Sequence, residues 1–152
     1  MTDLVRNITD WANEYGNDVQ KMQVANSQYL AAALGIERDN PKRIRKDFVT
    51  WRQTLDEIAY FWDALHTKNS EYAFNCDVLT AFLTTFDIND DKDAWWNKIV
   101  AIASACGLKN GDVAMNLRVA MTGRTNTPDL YSVMQVMGAN MVKQRIEEIV
   151  NG

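Results

Sequence analysis

The chain has 152 residues, 47% hydrophobic and 24% charged, with a net charge of -4 from 16 bases and 20 acids. That size and apolar fraction suffice for one domain, or two small helical halves, with a real core, and the charge sum argues against a general polyanion binder. The one histidine, His66, excludes any site needing two, such as a two-histidine zinc site or an HExxH metalloprotease.

Apolar residues recur at helical spacing almost everywhere, and no strand-like alternation persists. The predicted class is therefore all-α, with two small helical-bundle subdomains and about seven to eight helices. Leu4, Ile8, Trp11, Ala12 and Tyr15 mark the first helix, stopped at Gly16. Val19, Met22, Tyr29, Ala33 and Leu34 mark a second, stopped at Gly35. Residues 36–50 break the pattern as a polar loop with an Asn40-Pro41 turn. Thr50 and Gln53 form a capping box for a helix presenting Trp51, Leu55, Ile58, Trp62 and Leu65, widened by Tyr60 and Phe61.

Residues 67–74 are expected to link a subdomain at 1–66, carrying the basic loop 36–50, to one at 75–152. In the second half, Leu79, Phe82, Leu83 and Phe86 mark one helix. Asn89-Asp90-Asp91 caps the next, which runs through Trp95, Trp96, Ile99, Ala103 and Cys106 to Gly107. Val113, Leu117 and Ala120 lead to Gly123. Thr127-Pro128-Asp129 reads as a helix start, with Thr127 capping, Pro128 in the first position and an acid near the positive end of the dipole. Leu130, Val133, Met134 and Met137 lead to Gly138, and Val142, Ile146, Ile149 and Val150 form the last helix.

Cys76 and Cys106 are too few for a disulfide framework and read as small core residues in a reducing cytosol. Asp3, Asp10 and Glu14 are unlike a signal peptide, and the uncharged run at residues 130–142 is too short to span a bilayer. A soluble, cytoplasmic chain without a membrane partner is expected.

The charge is unevenly spread. Residues 36–52 hold six bases (Arg38, Lys42, Arg43, Arg45, Lys46, Arg52) against three acids, and residues 53–100 three bases against nine acids. The basic stretch suits phosphate contact and stacking on bases; the plainer alternative is a solvated turn. The five tryptophans and seven methionines lie at core spacing and read first as packing. One of Trp95 and Trp96 must point away from the other. His66 has no adjacent serine or cysteine nucleophile, and Asp63 is its nearest acid, so no catalytic residue is assigned.

The segment 107–150 carries more. Its Gly107-Leu108-Lys109 turn, Leu117-Arg118-Val119-Ala120-Met121-Thr122-Gly123, Pro128-Asp129-Leu130, Gly138, Val142 and Arg145-Ile146 resemble the C-terminal end of bacterial glutamyl-tRNA synthetases. There a GLK-type turn, an LRVALTG-type segment and a Pro-x-Leu helix start precede a final Arg-Leu/Ile helix. Upstream, residues 41–51 resemble a KPRKDFATW-type segment of one branch of that family, departing at Arg43-Ile44, and Tyr60-Phe61-Trp62 its aromatic helix. The family's HIGH-type motif needs two histidines, and no KMSKS-type loop or glycine-rich phosphate loop occurs.

The resemblance implies the anticodon-binding region of a longer glutamate–tRNA ligase. The expected partners are the anticodon loop of glutamate tRNA, and possibly glutamine tRNA, and a catalytic domain of the same polypeptide. A monomer is expected. ATP and magnesium would belong to that catalytic domain, and no cofactor or metal is expected here. Carried over by position, Arg118 corresponds to an arginine on an anticodon base, and Thr127, Pro128 and Leu130 to positions that meet the anticodon. Arg45 and Lys46 are the nearest counterparts of an arginine sensing the first anticodon base, with Lys42 and Arg43 as phosphate contacts. The physics agrees: a guanidinium offers a planar fork, a helix start offers free N–H groups, and Pro128 and Leu130 offer apolar surface. The alternative is a helical protein-interaction or regulatory module derived from a synthetase, docking through the acidic 53–100 region without binding RNA.

Overall fold

The computed structural model describes the backbone of residues 2–35, 51–66, 69 and 71–151, and the side chains of these apart from residues 2, 3 and 51–53. The basic loop 36–50, with Lys42, Arg43, Arg45 and Lys46, lies outside the described residues, as do the Thr50–Gln53 capping box and the Trp51 side chain. Among the described residues the fold is all-α. The chain divides into two compact units, Met1–His66 and Thr67–Gly152. No helix among these residues is long and apolar enough to cross a membrane.

The first unit contains α1 (Thr2–Tyr15), α2 (Asp18–Val24), α3 (Ser27–Gly35), α4 (Trp51–Glu57) and a 3-10 turn, Ala59–Phe61. Helix α1 packs on α2 and α3, and α2 packs on α4. Ile8, Ala12, Leu30, Leu55 and Phe61 are fully buried. The single helix expected over Val19–Leu34 is two helices. The Asn17 side chain accepts from the Gln20 backbone N–H at 2.9 Å while the Gln20 side chain accepts from the Asn17 N–H, a capping box that starts α2. The Asn26 side chain accepts from the Tyr29 N–H at 3.1 Å and starts α3.

This break resets the buried face. Val19 and Met22 are exposed, and Gln20, Gln23 and Val24 are buried in their place. Gln23 is tolerated there because its Nε2 donates to the Leu55 carbonyl at 2.8 Å. The helix expected to run on to Leu65 stops at Glu57. Leu55, Ile58, Tyr60 and Phe61 still reach the core through the 3-10 turn, while Trp62 and Leu65 are half-buried.

The second unit contains α5 (Cys76–Thr85), α6 (Lys92–Cys106), α7 (Asn110–Thr122), α8 (Leu130–Met137) and α9 (Ala139–Asn151). Helix α5 packs on α6, α7 and α9, and α7 also packs on α6, α8 and α9. The core is Val78, Leu79, Phe82, Ile99, Leu117, Met121, Met134 and Ile146. Gly107 and Gly123 end α6 and α7 with φ of 68° and 72°, in the left-handed region that glycine enters without a Cβ clash. Trp95 is buried against Tyr131, at a ring separation of 5.5 Å, and Trp96 is exposed. Cys76 is exposed and Cys106 half-buried, which corrects the expectation that both fill the core. Cys76 opens α5 directly after its cap, where the side chain faces outward.

Candidate nucleic-acid interface

Asn69 and Asn75 are each fastened to α7 or its closing glycine. The Asn69 Nδ2 donates to the Gly123 carbonyl at 3.3 Å, and the Asn75 N–H donates to the Asn116 Oδ1 at 2.8 Å. Asn75 then caps α5, its side chain accepting from the Asp77 and Val78 N–H groups. Tyr72 stacks edge-on against Phe74, and its hydroxyl pKa is raised, first by burial and then by the negative charge of Asp112.

Arg118 lies in the last stretch of α7. It is half-buried, and its Nε is closed off from solvent with no hydrogen-bond partner. A buried donor without a partner is uncommon and calls for an explanation such as a ligand or water that completes it. One turn on, the buried Thr122 hydroxyl donates to the Arg118 carbonyl at 2.8 Å and accepts from the Arg124 N–H at 3.1 Å. The chain then turns at Gly123 and leaves Arg124, Thr125 and Asn126 exposed.

The start of α8 differs in detail from its expected form. Asp129, not Thr127, is the N-cap: its side chain accepts from the Ser132 N–H at 3.2 Å and from the Ser132 hydroxyl at 2.9 Å. Pro128 therefore precedes the cap instead of opening the helix. The Thr127 hydroxyl donates to the Pro128 carbonyl at 3.1 Å. A carboxylate is the stronger acceptor, and it gains a second partner in Lys92 Nζ at 3.1 Å. Burial pushes the Asp129 carboxyl up, but the Ser132 and Lys92 bonds outweigh it and hold the pKa below its ordinary value. Thr127 and Pro128 are half-buried. Leu130 is only 3% exposed. It sits in the core under the helix start and does not offer the apolar surface expected of it.

Arg118 lies one turn before the end of α7, and Thr127 and Pro128 lie in the connection from α7 to α8. Lys42, Arg43, Arg45 and Lys46 lie outside the described residues. Sequence reasoning passed over Thr122, Arg124 and Asn69. Their signal was the Thr122-Gly123-Arg124 string itself, where a hydroxyl before a helix-ending glycine can bond across the turn. Among the described residues, no group of three His, Cys, Asp or Glu side chains is placed to hold a metal ion.

A family model described as an anticodon binding domain matches residues 3–150. The glutamate–tRNA ligase of Clostridium perfringens (strain 13 / Type A) is 30% identical over 164 residues, covering 91% of this chain and 30% of its own length. That of Sorangium cellulosum (strain So ce56) is 34% identical over 161 residues, covering 90% of this chain and 28% of its own length. That of Gloeobacter violaceus is 40% identical over 132 residues, covering 81% and 24%. The chain thus spans less than a third of the length of the curated relatives it matches.

Proposed function

The chain belongs to the anticodon binding domain family and is related to bacterial glutamate–tRNA ligases, and from that premise we propose that its second unit reads the anticodon loop of glutamate tRNA. The observation that carries the reading is Arg118. It stands at the matched Leu-Arg-Val-Ala segment, half-buried, with an enclosed Nε that lacks a protein partner. A base edge or phosphate oxygen in that position completes its hydrogen bonding. Splayed loop bases present such edges, and a planar fork meets them in two places.

Thr127 and Pro128 supply the neighbouring surface, with Leu130 holding the helix start beneath them. Lys42, Arg43, Arg45 and Lys46 are proposed as additional phosphate or base contacts, with Arg45 and Lys46 nearest to sensing the first anticodon base. Aminoacylation itself, with its ATP and magnesium, is assigned to a catalytic domain in the part of the relatives that this chain does not span. A cytoplasmic location and a single copy per RNA go with that role.

The test is a titration of the chain with a labelled RNA hairpin carrying a glutamate anticodon, beside hairpins with a glutamine anticodon and a scrambled loop. Preferential binding of the glutamate hairpin is expected, and Arg118→Ala should cost roughly 1–3 kcal/mol if the arginine makes a good base contact. Equal binding by Arg118→Ala removes Arg118 from the site. No binding of any hairpin at low salt favours a protein-docking role in place of RNA recognition.

A further inference from the structure

We propose that Thr122 is a positioning residue for RNA recognition. Its buried hydroxyl fixes the direction in which the chain leaves α7, and so sets Thr127 and Pro128 relative to Arg118. The proposal rests on the anticodon-loop reading above. Thr122 is the last residue of α7 and only 3% exposed. A buried hydroxyl finds its partners within the protein. This one donates to the Arg118 carbonyl at 2.8 Å, has the Arg124 carbonyl as a second acceptor at 3.2 Å, and accepts from the Arg124 backbone N–H at 3.1 Å. One side chain thus spans the helix end, from a turn before it to the second residue beyond it.

The form of the cap makes that hydroxyl necessary. Gly123 donates its N–H to the Val119 carbonyl at 2.8 Å, the single bond of a left-handed cap. In the Schellman form of such a cap the next N–H also bonds back to the helix backbone. Here that N–H, of Arg124, goes to the Thr122 hydroxyl, and the Gly123 carbonyl takes the Asn69 side-chain amide at 3.3 Å. Side chains, not helix backbone, therefore hold the first peptide units beyond α7. Thr127 and Pro128 follow four and five residues after Gly123, so a change in its direction reaches them. Base contacts specify, and phosphate contacts carry no sequence information. Misplacing the connection therefore costs an anticodon hairpin more than a scrambled one, because base reading depends on a supporting frame held in one geometry.

Fluorescence anisotropy of the full chain with glutamate-anticodon and scrambled-loop hairpins, at a temperature where each variant is folded, reads the preference between the two. Thr122→Val keeps the shape and removes the hydroxyl. It should cut the preference roughly threefold to tenfold, the equivalent of one hydrogen bond. Thr122→Ser, which keeps the hydroxyl, should restore it. Added to Arg118→Ala, Thr122→Val should cause little further loss, because both changes act on one geometry. Should Thr122→Val not fold, Asn69→Ala releases the same turn through the Gly123 carbonyl, with the same loss expected. A merely structural hydroxyl would lower the unfolding midpoint and leave the preference at the parent value. That result, failure of Thr122→Ser to restore the preference, or full additivity with Arg118→Ala overturns the proposal and leaves the RNA reading standing. A parent chain that binds neither hairpin at low salt, or both equally, overturns the reading with it.

Discussion

Asn116 fastens Asn75 to the middle of α7. Its Oδ1 accepts from the Asn75 N–H at 2.8 Å, and its Nδ2 donates to the Asp112 carbonyl at 2.9 Å. The residue itself is only 6% exposed. The two bonds place the start of α5 against the helix that carries Arg118.

Asn116→Leu keeps the volume and removes both partners, leaving the Asn75 N–H to be desolvated alone. A loss of about 1–3 kcal/mol is expected in urea unfolding. Asn75→Ala, which removes the cap of α5, should cost about 1 kcal/mol. A parent-like midpoint for Asn116→Leu would mean that the carboxamide adds nothing to the unit.

Helix α2 sets two neighbouring residues in opposite roles. Gln23 is 1% exposed and donates to the Leu55 carbonyl, whereas Met22 is 38% exposed. Hydropathy alone would rank their importance the other way. Gln23→Ala should destabilise by roughly 1–3 kcal/mol by stranding a buried carbonyl and opening space. Met22→Ser should stay within about 0.5 kcal/mol of the parent, as exposed substitutions do. Thermal unfolding of the two variants side by side checks the register of α2. Equal losses would contradict it.

That contrast shows what the sequence made legible. The all-α class, the core positions Leu79, Phe82, Ile99, Leu117 and Ile146 and the stops at Gly107, Gly123 and Gly138 follow from spacing and from the special freedom of glycine. The break at residues 25–26 was hidden because Asn26 acts as a cap only once Tyr29 is helical, and a capping asparagine looks like any polar surface residue. Buried Gln20 and Gln23 defeat a hydropathy reading because their partners are backbone groups, one of them more than thirty residues away. At the candidate site Arg118 was reached through its motif. Leu130 was given the wrong role: the start of α8 is two residues later than Thr127 and Pro128 suggest, with Asp129 as the cap, and Leu130 is buried where exposed apolar surface was expected.

Asp129 gives the second unit a dependence on acid. Its pKa in the fold is held below the ordinary value, with the Ser132 and Lys92 bonds outweighing burial. An unfolded chain therefore takes up this proton at higher pH than the folded one, and stability rises with pH across that window. The contribution is complete above the unfolded value near ~3.9 and fades as pH falls through the lower folded value. Asp129→Asn should flatten the acid limb of the stability curve and lower stability by a constant amount at neutral pH. Urea midpoints from about pH 2 to 7 measure both effects. An acid limb identical to the parent's would show that the carboxylate is not coupled to folding.

Arg145 ties the last helix to the end of α7 that carries the candidate site. It is 2% exposed, and its Nη1 donates to the Met121 carbonyl at 2.5 Å with the Met137 sulfur at 3.8 Å. Met121 directly precedes Thr122, so this bond supports the turn from which Arg124 projects. Two opposing terms decide the cost of removing it. Losing a buried cation relieves desolvation, while the Met121 carbonyl loses a donor and the space of a long side chain opens. Arg145→Met fills most of the space and should cost about 1–2 kcal/mol, whereas Arg145→Ala should cost roughly 2–4 kcal/mol. Because Met121 abuts the turn, Arg145→Met should also weaken hairpin binding at a temperature where the unit remains folded. The exposed Lys143 on the same helix is the control: Lys143→Met should leave the unfolding midpoint unchanged. Hairpin affinity equal to the parent's in Arg145→Met, with the midpoint lowered, would confine Arg145 to stability and leave the turn to be held by Thr122 and Asn69 alone.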